Sequence, residues 1–470
     1  MKILSTILTP LLLFQLLFSC QQGSRNNVNT DQKENSMLTD KQILDSIQYS
    51  TFQYFWDGAE PTSGMARERF HVDDYYPQND KNVVTSGGSG FGIMAIIVGM
   101  ERSFIQREEG LAHLEKIMDF LESADRFHGA CPHWWNGESG KVKPFSKKDN
   151  GADIVETAYL VQGMYALKNY LDPALPKEKE LISRLENFID GVEWDWFEKD
   201  DVLIWHWSPE YGFEMNHEIR GYNECLITYV VAAASKTYPI RKETYQQGWA
   251  RNGDIKGRQE KYGYTLPLNH NGSKEYGGPL FWAHYSYLGL DPRGLSDEYA
   301  SYWENNVSQV LINYSYCVEN PMKYKGYGEN CWGLTASYSL PHKVKKGDKE
   351  LTLPIKEWSY NAHSPARDVG VISPTAALSS FPYAPEQCMQ AARFFYEELG
   401  SKLMGPYGPY DAFSLEYDWF PQRYLAIDQG PIVAMIENYR SGLLWKLCMS
   451  DPEILNGLSR LGFTYKKQEN

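Results

Sequence analysis

Carboxylates stand at the start of three apolar segments of the chain. Asp153 and Glu156 open GADIVETAYLVQGM (151–164), Glu224 opens ECLITYVVAAAS, and Asp428 opens DQGPIVAMIENY. At the 100° turn per residue of a helix, each of them shares a stripe with apolar side chains. A carboxylate in such a position must find hydrogen-bond partners or shift its pKa, so these four are candidate functional residues.

Loops rich in aromatic and glycine residues precede the three segments, and they include Trp134, Trp135 and Tyr222. Acidic residues at a helix start also cap free N–H groups, which gives a purely structural explanation for any single case. The threefold recurrence beside aromatic loops favours a binding or catalytic rim. A helix N-terminus lowers the pKa of a carboxyl, whereas a general acid needs a raised one, so burial and like charges would have to outweigh the helix dipole.

Converging carboxylates beside aromatic rings suit the cleavage of a glycosidic bond. One carboxyl protonates the leaving oxygen, a second activates water, and the sugar faces stack on the rings. Trp282 and His284 in GGPLFWAHYSYLGL, and Trp332 in YGENCWGLTAS, follow Gly-rich loops in the same way. We expect these three to be further rim residues, with burial in the core as the alternative.

Two kinds of helix alternate along the chain. Amphipathic segments, which belong at a surface, are predicted at 40–56, 108–125, 176–190, 296–317 and 385–399, with a poorly defined one near 242–251. Segments that are apolar on all sides, which must be buried, are predicted at 90–100, 153–171, 224–238, 278–290, 373–381 and 429–448.

Six outer and six inner helices in alternation predict an all-α fold, an (α/α)6 barrel. A small β-hairpin is expected from 202–207 and 212–215, with a further strand at 351–353. The inner helices of such a barrel are parallel, so their N-termini meet at one rim. The residues expected to converge there are Asp149, Asp153, Glu156, Glu224 and Asp428.

Composition narrows the range of partners. The net charge is −14, so the chain lacks the basic surface that binding to nucleic acid or to an anionic membrane requires. A neutral or cationic partner is therefore expected. The aromatic content of 14% fits a chain that stacks sugar rings, although a large aromatic core is the simpler explanation. The cysteines form no CxxC pair, and Cys131-Pro132-His133 is a weak metal signal, so no metal or cofactor is expected.

The N-terminal segment has the order of a secretory signal. Residues 1–19 combine Lys2 with a short apolar run and end next to Cys20, in the pattern of a bacterial lipoprotein lipobox. We expect Cys20 to carry lipid, 20–37 to be a flexible tether, and 38–470 to form a single catalytic domain. The expected location is the periplasm, tethered to a membrane, with the outer membrane favoured; a plain cleaved signal is the alternative.

Five motifs in order resemble a known family. They are KKDNGADIVETAYLVQGM, RGYNECLITYVVAAAS, GGPLFWAHYSYLGL, YGENCWGLTAS and LAIDQGPIVAMIENYRSGLLW, within roughly residues 40–465. They are similar to the bacterial "glucoamylase-like" proteins, and more narrowly to glycoside hydrolase family 144. The resemblance implies an (α/α)6 barrel that cleaves β-1,2-glucans by inversion, either inside the polymer or by exo-release of the disaccharide sophorose from oligosaccharides.

The resemblance also assigns residues. It implies that Asp149, Asp153, Glu156 and Glu224 are important for activity. We expect Glu224 to be the general acid and Asp153 or Glu156 to hold the sugar or activate water, with Asp428 as an equal candidate for the base. The lipid anchor favours an exo-acting enzyme that trims oligosaccharides in the periplasm.

Two other classes of protein remain as alternatives. A non-catalytic glycan-binding lipoprotein would need the aromatic platforms but not several converging carboxylates. A polysaccharide lyase on the same toroid would act on uronates, and an acidic rim disfavours such an anionic substrate.

Overall fold

The computed structural model describes residues 38–77, 79–273, 275–352 and 360–467. The predicted signal peptide, the tether and Cys20 lie outside the described residues. From Thr39 onward the chain clusters as one compact unit. Within the described part, no helix has the length and apolar character that crossing a bilayer requires.

Helices make up the body of this unit. The α-helices are α1 Asp40–Trp56, α2 Ser86–Glu101, α3 Arg107–Ser123, α4 Ile154–Tyr170, α5 Pro176–Asp190, α6 Leu226–Ala234, α7 Lys242–Thr244, α8 Tyr302–Glu319, α9 Pro374–Leu378, α10 Pro385–Arg393, α11 Gly400–Leu403, α12 Ala426–Arg440, α13 Leu443–Met449 and α14 Pro452–Leu461. Short 3-10 turns occupy Trp194–Phe197, Arg251–Gly253, Leu280–Ala283, Tyr285–Leu288 and Pro365–Arg367, and π-turns occupy Tyr245–Trp249 and Phe394–Glu398.

The strands are short, and the pairs are antiparallel. The pairs are Arg69–His71 with Arg423–Leu425, Val83–Thr85 with Trp134–Asn136, Trp134–Asn136 with Val142–Lys143, Ala152–Asp153 with His206–Trp207, Glu198–Lys199 with Val202–Leu203, Lys256–Lys261 with Tyr264–Leu268, Leu295–Ser296 with Thr464–Tyr465, Ala336–Tyr338 with Tyr360–Ala362, Lys343–Lys346 with Lys349–Thr352, and Met404–Gly405 with Gly408–Pro409.

An inner ring of helical segments closes on itself. It consists of α2, α4, α6, the turns over 280–288, α9 and α12. At the joint between α2 and α4, a Cβ on Gly90 would lie 2.2 Å from the Tyr159 carbonyl oxygen, so only glycine allows the two backbones to approach this closely. At the joint between α9 and α12, Thr375 Oγ1 donates to the Asp428 carbonyl oxygen at 2.7 Å.

Amphipathic helices surround this ring. Helices α1 and α3 pack on α2, α5 packs on α4, α14 packs on α6, α8 packs on the turns at 280–283, and α10 packs on α9. Helix α5 shows the pattern, because it buries Leu181, Leu185 and Phe188 on one side and exposes charged residues on the other. Alternating outer and inner segments confirm the predicted all-α (α/α)6 toroid.

Some predicted inner and outer segments have a different local form. The predicted inner helix 278–290 is two 3-10 turns separated at His284. The predicted helix 429–448 is interrupted at Gly442, whose φ of 67° no α-helix accommodates, and so becomes α12 and α13. The outer segment near 242–251 is α7 followed by a π-turn, and α14 was not predicted at all.

The predicted strands were partly wrong. Within 202–207, Val202–Leu203 pairs with Glu198–Lys199 and His206–Trp207 pairs with Ala152–Asp153. The expected hairpin with 212–215 is replaced by isolated antiparallel bridges, Ser208 with Gly212 and Ile204 with Glu218. The pairing of His206–Trp207 with Ala152–Asp153 has a consequence for the site, since it holds the Trp205-His206 region against the start of α4.

Candidate active site

Asp153 caps the N-terminus of α4. Its Oδ1 accepts hydrogen bonds from the backbone N–H groups of Val155 and Glu156, both at 3.0 Å, and from Trp205 Nε1 at 2.9 Å. The capping role therefore holds for Asp153, and the side chain is fully buried. With this oxygen saturated by donors, Asp153 is fixed in one orientation.

His133 connects Asp153 to the other carboxylates. Its Nδ1 lies 2.9 Å from Asp153 Oδ2 and 3.9 Å from Asp149 Oδ2, and its Nε2 lies 3.9 Å from Glu156 Oε1. Burial alone would lower the pKa of His133, but the charge of Glu156 and the hydrogen bond to Asp153 raise it to about 10. An imidazolium thus stands among three carboxylates, and the same interactions bring the pKa of Asp153 below its ordinary value despite burial.

Asp149 lies on the other side of this histidine. Its Oδ2 is 3.5 Å from His206 Nε2, and its Oδ1 has no hydrogen-bond partner among the described residues. Burial, together with the charge of Asp153, raises the pKa of Asp149 to about 7. His206 is buried, and burial lowers its pKa to about 4, so it is neutral at pH 7.

Glu156 reaches from α4 to the first turn of α2. Its Oε2 accepts hydrogen bonds from the Gly87 N–H at 2.8 Å and from Thr85 Oγ1 at 3.2 Å, so a helix N-terminus holds this oxygen. Its Oε1 faces His133. Burial raises the pKa of Glu156, and the charge of Asp153 acts in the same direction while His133 opposes it.

Glu224 lies just before α6, which begins at Leu226. Its carbonyl oxygen accepts hydrogen bonds from Ser286 Oγ and, at 3.4 Å, from Tyr159 Oη. Burial raises the pKa of the Glu224 carboxyl to about 7, and the charges of Glu156 and Asp153 add to the effect. Burial therefore outweighs the helix dipole at this position, which a general acid requires.

Two cavities meet at Glu224. The main cavity has a volume of about 710 Å³, and its wall includes Trp134, Phe145, Glu156, Tyr285 and Arg69. The side cavity has a volume of about 340 Å³, and its wall includes His217, Asn271, Trp282 and Arg367. Glu224 and Trp205 line both, so the carboxyl of Glu224 is reached from either side.

Asp428 is fully buried and pairs with Asp411. Tyr285, on the wall of the main cavity, donates from Oη to Asp428 Oδ1 at 3.2 Å. One oxygen of each carboxyl, Asp411 Oδ1 and Asp428 Oδ2, has no hydrogen-bond partner among the described residues, and the charge of Asp411 helps to raise the pKa of Asp428, so the protonated form of Asp428 is favoured. Burial raises both pKa values, that of Asp411 to about 6, while the backbone N–H of Tyr338 donates to Asp411 Oδ2 at 2.6 Å.

The predicted aromatic contacts divide into two groups. Trp134 and Trp282 lie on cavity walls as predicted. The other four are buried, and a polar atom of each already has a partner inside the protein, so they fit the alternative of burial in the core. Trp135 Nε1 donates to Asp125 O, Trp332 Nε1 to Gln387 O, and Tyr222 Oη to Asn306 Oδ1, while His284 Nε2 is 2.9 Å from Ser380 Oγ.

Several residues of the site were not singled out from the sequence. His206, Trp205, Phe145 and Asp411 belong to this group, and His133 was considered only as a metal signal. The run of His133 with Trp134 and Trp135 next to the first acidic motif is a local signal for His133. Nothing in the sequence places Asp411 beside Asp428, because sixteen residues, mostly loop and strand, lie between them.

One group of side chains has the spacing of a metal site. Ligand atoms of His133, Asp149 and Asp153 lie within 4.8 Å of one another. The Asp153 oxygens already accept hydrogen bonds from three N–H groups and from His133, which is the pattern of an imidazolium–carboxylate pair. We therefore assign these residues to a hydrogen-bonded acidic cluster and not to an ion.

The chain is similar to several known proteins. The "Putative glucoamylase" family model matches residues 216–452. An exo beta-1,2-glucooligosaccharide sophorohydrolase (non-reducing end) of Parabacteroides distasonis is 42% identical over an alignment of 447 residues that covers 90% of this chain and 58% of that protein. The chain therefore spans less than two thirds of the length of this curated relative.

Two solved structures have the same fold. An endo-beta-1,2-glucanase from Chitinophaga pinensis, in complex with sophorotriose and glucose, is 57% identical, with a TM-score of 0.86, covering 91% of this chain and 99% of that one. A beta-1,2-glucanase from Parabacteroides distasonis is 41% identical, with a TM-score of 0.82, covering 90% of this chain and 60% of that one.

The fold and the site define the class of the protein. A helical toroid with buried carboxylates and aromatic rings at one rim is typical of the glucoamylase-like (α/α)6 proteins. Within that class, the chain belongs to glycoside hydrolase family 144, as its motifs indicated.

Proposed function

We propose that this protein hydrolyses β-1,2-glucosidic linkages of β-1,2-glucan or of oligosaccharides derived from it. The observation that carries the proposal is the position of Glu224, a carboxyl with a pKa of about 7 at the junction of two cavities. A glycosidic bond placed there would have one sugar in each cavity. The 57% identical endo-β-1,2-glucanase and the 42% identical sophorohydrolase support the linkage.

Glu224 acts as the general acid. At pH below about 7 its carboxyl is protonated and can donate to the leaving oxygen as the bond breaks. Trp134 and Trp282 lie on opposite sides of this point, in the main and the side cavity, and provide ring faces for the two sugars. Burial and the charges of Glu156 and Asp153 outweigh the backbone hydrogen bond that lowers the pKa of Glu224, which keeps its proton affinity high.

Two groups are candidates for the base that activates water in an inverting reaction. Glu156 lines the main cavity, and its Oε1 is not used by the Gly87 and Thr85 donors. The Asp411–Asp428 pair lies behind Tyr285 and would act through that hydroxyl. Asp153 is excluded as the base, since donors occupy both of its oxygens.

Exo-action with release of sophorose is the mode supported by the sophorohydrolase relative. Endo-action is a second candidate, supported by cavities on both sides of Glu224 and by the endo-acting relative. An exo-enzyme needs one end of its cleft closed, whereas an endo-enzyme needs both ends open.

Product analysis tests the proposal. We expect purified protein to cleave β-1,2-linked glucose chains of defined length, and not β-1,3- or β-1,4-linked chains. Sophorose as the only early product indicates exo-action, while a ladder of products indicates endo-action. NMR of fresh product should show the inverted anomer. If no new reducing ends form on any β-1,2-glucan, the protein is better described as a non-catalytic glycan-binding protein. Unsaturated products would indicate a lyase.

We further propose that Cys20 carries the lipid anchor of a periplasmic, membrane-tethered lipoprotein. The short apolar run next to Cys20 supports it. Cys20→Ala should move the protein from the membrane fraction to the soluble fraction after osmotic lysis, while its activity on soluble glucan stays unchanged. A membrane-bound Cys20→Ala variant would contradict the anchor.

A further inference from the structure

A third cavity of about 380 Å³ lies outside the two that meet at Glu224. We call it the distal cavity. Its wall combines apolar and polar side chains, chiefly Tyr338, Pro341, Trp419, Pro421, Gln422 and Arg423. None of these residues has a role in the mechanism described above.

Two strands connect the distal cavity to the main cavity. In the strand Ala336–Tyr338, Ala336 lines the main cavity and Tyr338 lines the distal one. In the strand Arg423–Leu425, Leu425 lines the main cavity and Arg423 lines the distal one. Residues two apart in a strand point to the same side, roughly 7 Å apart. Both cavities therefore open on the same face, one step along the strands from each other.

A fixed side chain separates the two cavities. Arg69, which lines the main cavity, donates from Nη1 to Tyr338 Oη at 3.1 Å, and His71 Nε2 lies 2.7 Å from the same oxygen. The Tyr338 ring is buried, so these contacts hold it in place. The hydrogen bond between Arg69 and Tyr338 therefore joins the walls of the two cavities, in addition to the two strands.

The chemistry of the distal cavity suits a neutral sugar. Trp419 is half-buried and offers a ring face, which can contact the apolar face of a sugar. The cations of the wall are already paired with carboxylates. Arg423 makes two contacts of 2.9 Å with Asp73, and Lys343 lies 3.6 Å from Glu350. With their charges balanced, these groups can serve sugar hydroxyls but provide little attraction for an anion.

We propose that the distal cavity is an additional subsite, in which Trp419 binds a further glucose unit of the glucan chain whose scissile bond lies at Glu224. This inference rests on the proposed function, since it takes the same substrate. It makes the length of the bound chain, and not only the linkage, a determinant of affinity.

The test is the dependence of kcat/KM on chain length. Trp419→Ala should lower kcat/KM about three- to tenfold on long β-1,2-glucans and leave it unchanged on short oligosaccharides that fill only the cavities at Glu224. Trp196→Ala is the matched control, because Trp196 is also a partly exposed indole, stacked on His128 and outside all three cavities. It should alter neither value.

A second variant separates binding from folding. Trp419 packs against a small apolar cluster that contains Tyr338 and Leu425, so its removal can loosen the local structure. Gln422 is exposed, and Gln422→Ala should reduce kcat/KM on long chains alone, with an unchanged melting temperature. An equal loss at all chain lengths, or no loss in either variant, would overturn the subsite. A wild-type protein that cleaves no β-1,2-glucan overturns the proposed function and this inference together, whereas normal wild-type activity with unchanged length dependence overturns only the inference.

Discussion

Replacing Glu224 by Gln should abolish hydrolysis and, at neutral pH, make the protein more stable. The amide has nearly the same shape as the carboxyl but cannot donate a proton to the leaving oxygen. We expect kcat to fall by at least about 100-fold, the contribution typical of general acid catalysis. The gain in stability follows from the raised pKa of the same side chain.

The size and sign of that gain come from the proton balance of Glu224. Its pKa is about 7 in the folded chain against an ordinary value of 4.5, chiefly because burial disfavours the charged form. Between these pH values the folded chain binds more protons than the unfolded one, so stability falls as the pH rises through about 7. The full difference corresponds to about 3 kcal/mol. Because Glu224 keeps part of its surface in the cavities, where water screens the charge, we expect about 1–2 kcal/mol.

Urea unfolding at two pH values measures the effect. At pH 8, the free energy of unfolding of Glu224→Gln should exceed that of the wild type by this amount, whereas at pH 4.5 the two should be nearly equal. Glu138→Gln is the control, because Glu138 is exposed and its replacement should change the stability by less than about 0.5 kcal/mol at either pH. If the difference in the free energy of unfolding between Glu224→Gln and wild type is the same at pH 8 as at pH 4.5, Glu224 does not carry a buried proton. Near-normal turnover of the variant would show that Glu224 is not the general acid.

Three further predictions follow from the packing and the acidic cluster. Trp332→Ala should lower the free energy of unfolding by about 3–5 kcal/mol, as for a buried aromatic residue, while KM changes little; a selective rise in KM would return Trp332 to the substrate site. Gly90→Ala should lower the free energy of unfolding by about 1–3 kcal/mol, since the added methyl group would overlap the Tyr159 carbonyl. An unchanged midpoint of chemical denaturation would contradict the close approach of α2 and α4. His133→Gln should lower stability at pH 7 by about 3 kcal/mol, because it leaves the buried Asp153 carboxylate without its charged partner. The loss should be at least as large at pH 5 and should shrink as the pH rises from about 6.5 toward 10, where the imidazolium gives up its proton; equal losses at pH 5 and pH 9 would argue against an imidazolium.

The boundaries of some helices could be predicted because their signals are local. Helix α1 begins and ends where the periodicity placed it, at Asp40 and Trp56, and its start is fixed by a capping box between Thr39 and Gln42. Helix α5 likewise begins at Pro176, a residue suited to the first turn. The segment 278–290 lacked such a signal. Its backbone is held by bonds to distant residues, such as the Leu280 N–H to the Leu334 carbonyl, and it forms 3-10 turns instead of a helix.

The acidic positions could also be read from the sequence, but the division of roles could not. Asp153 and Glu156 are three residues apart, yet the pKa of Asp153 is lowered and that of Glu156 is raised. Burial raises both pKa values, but the hydrogen bond and charge of His133, 20 residues away along the chain, bring that of Asp153 below its ordinary value. At Glu156, burial and the charge of Asp153 prevail over His133 and over the donors at the start of α2. A sequence pattern shows which side chains share one face of a helix. A pKa, in contrast, depends on every charge and hydrogen-bond donor within a few ångströms.

The sequence by itself determined the alternation of surface and buried helices, hence the toroid, and the acidic residues at the starts of the inner segments. The tertiary structure decided which aromatic residues face a cavity and which are core, because that depends on how the loops fold over the rim. It also decided that the pKa of Glu224 is raised, as a general acid requires. That shift arises from burial between two cavities and from the charges of Glu156 and Asp153, which meet Glu224 only when the ring of inner helices has closed.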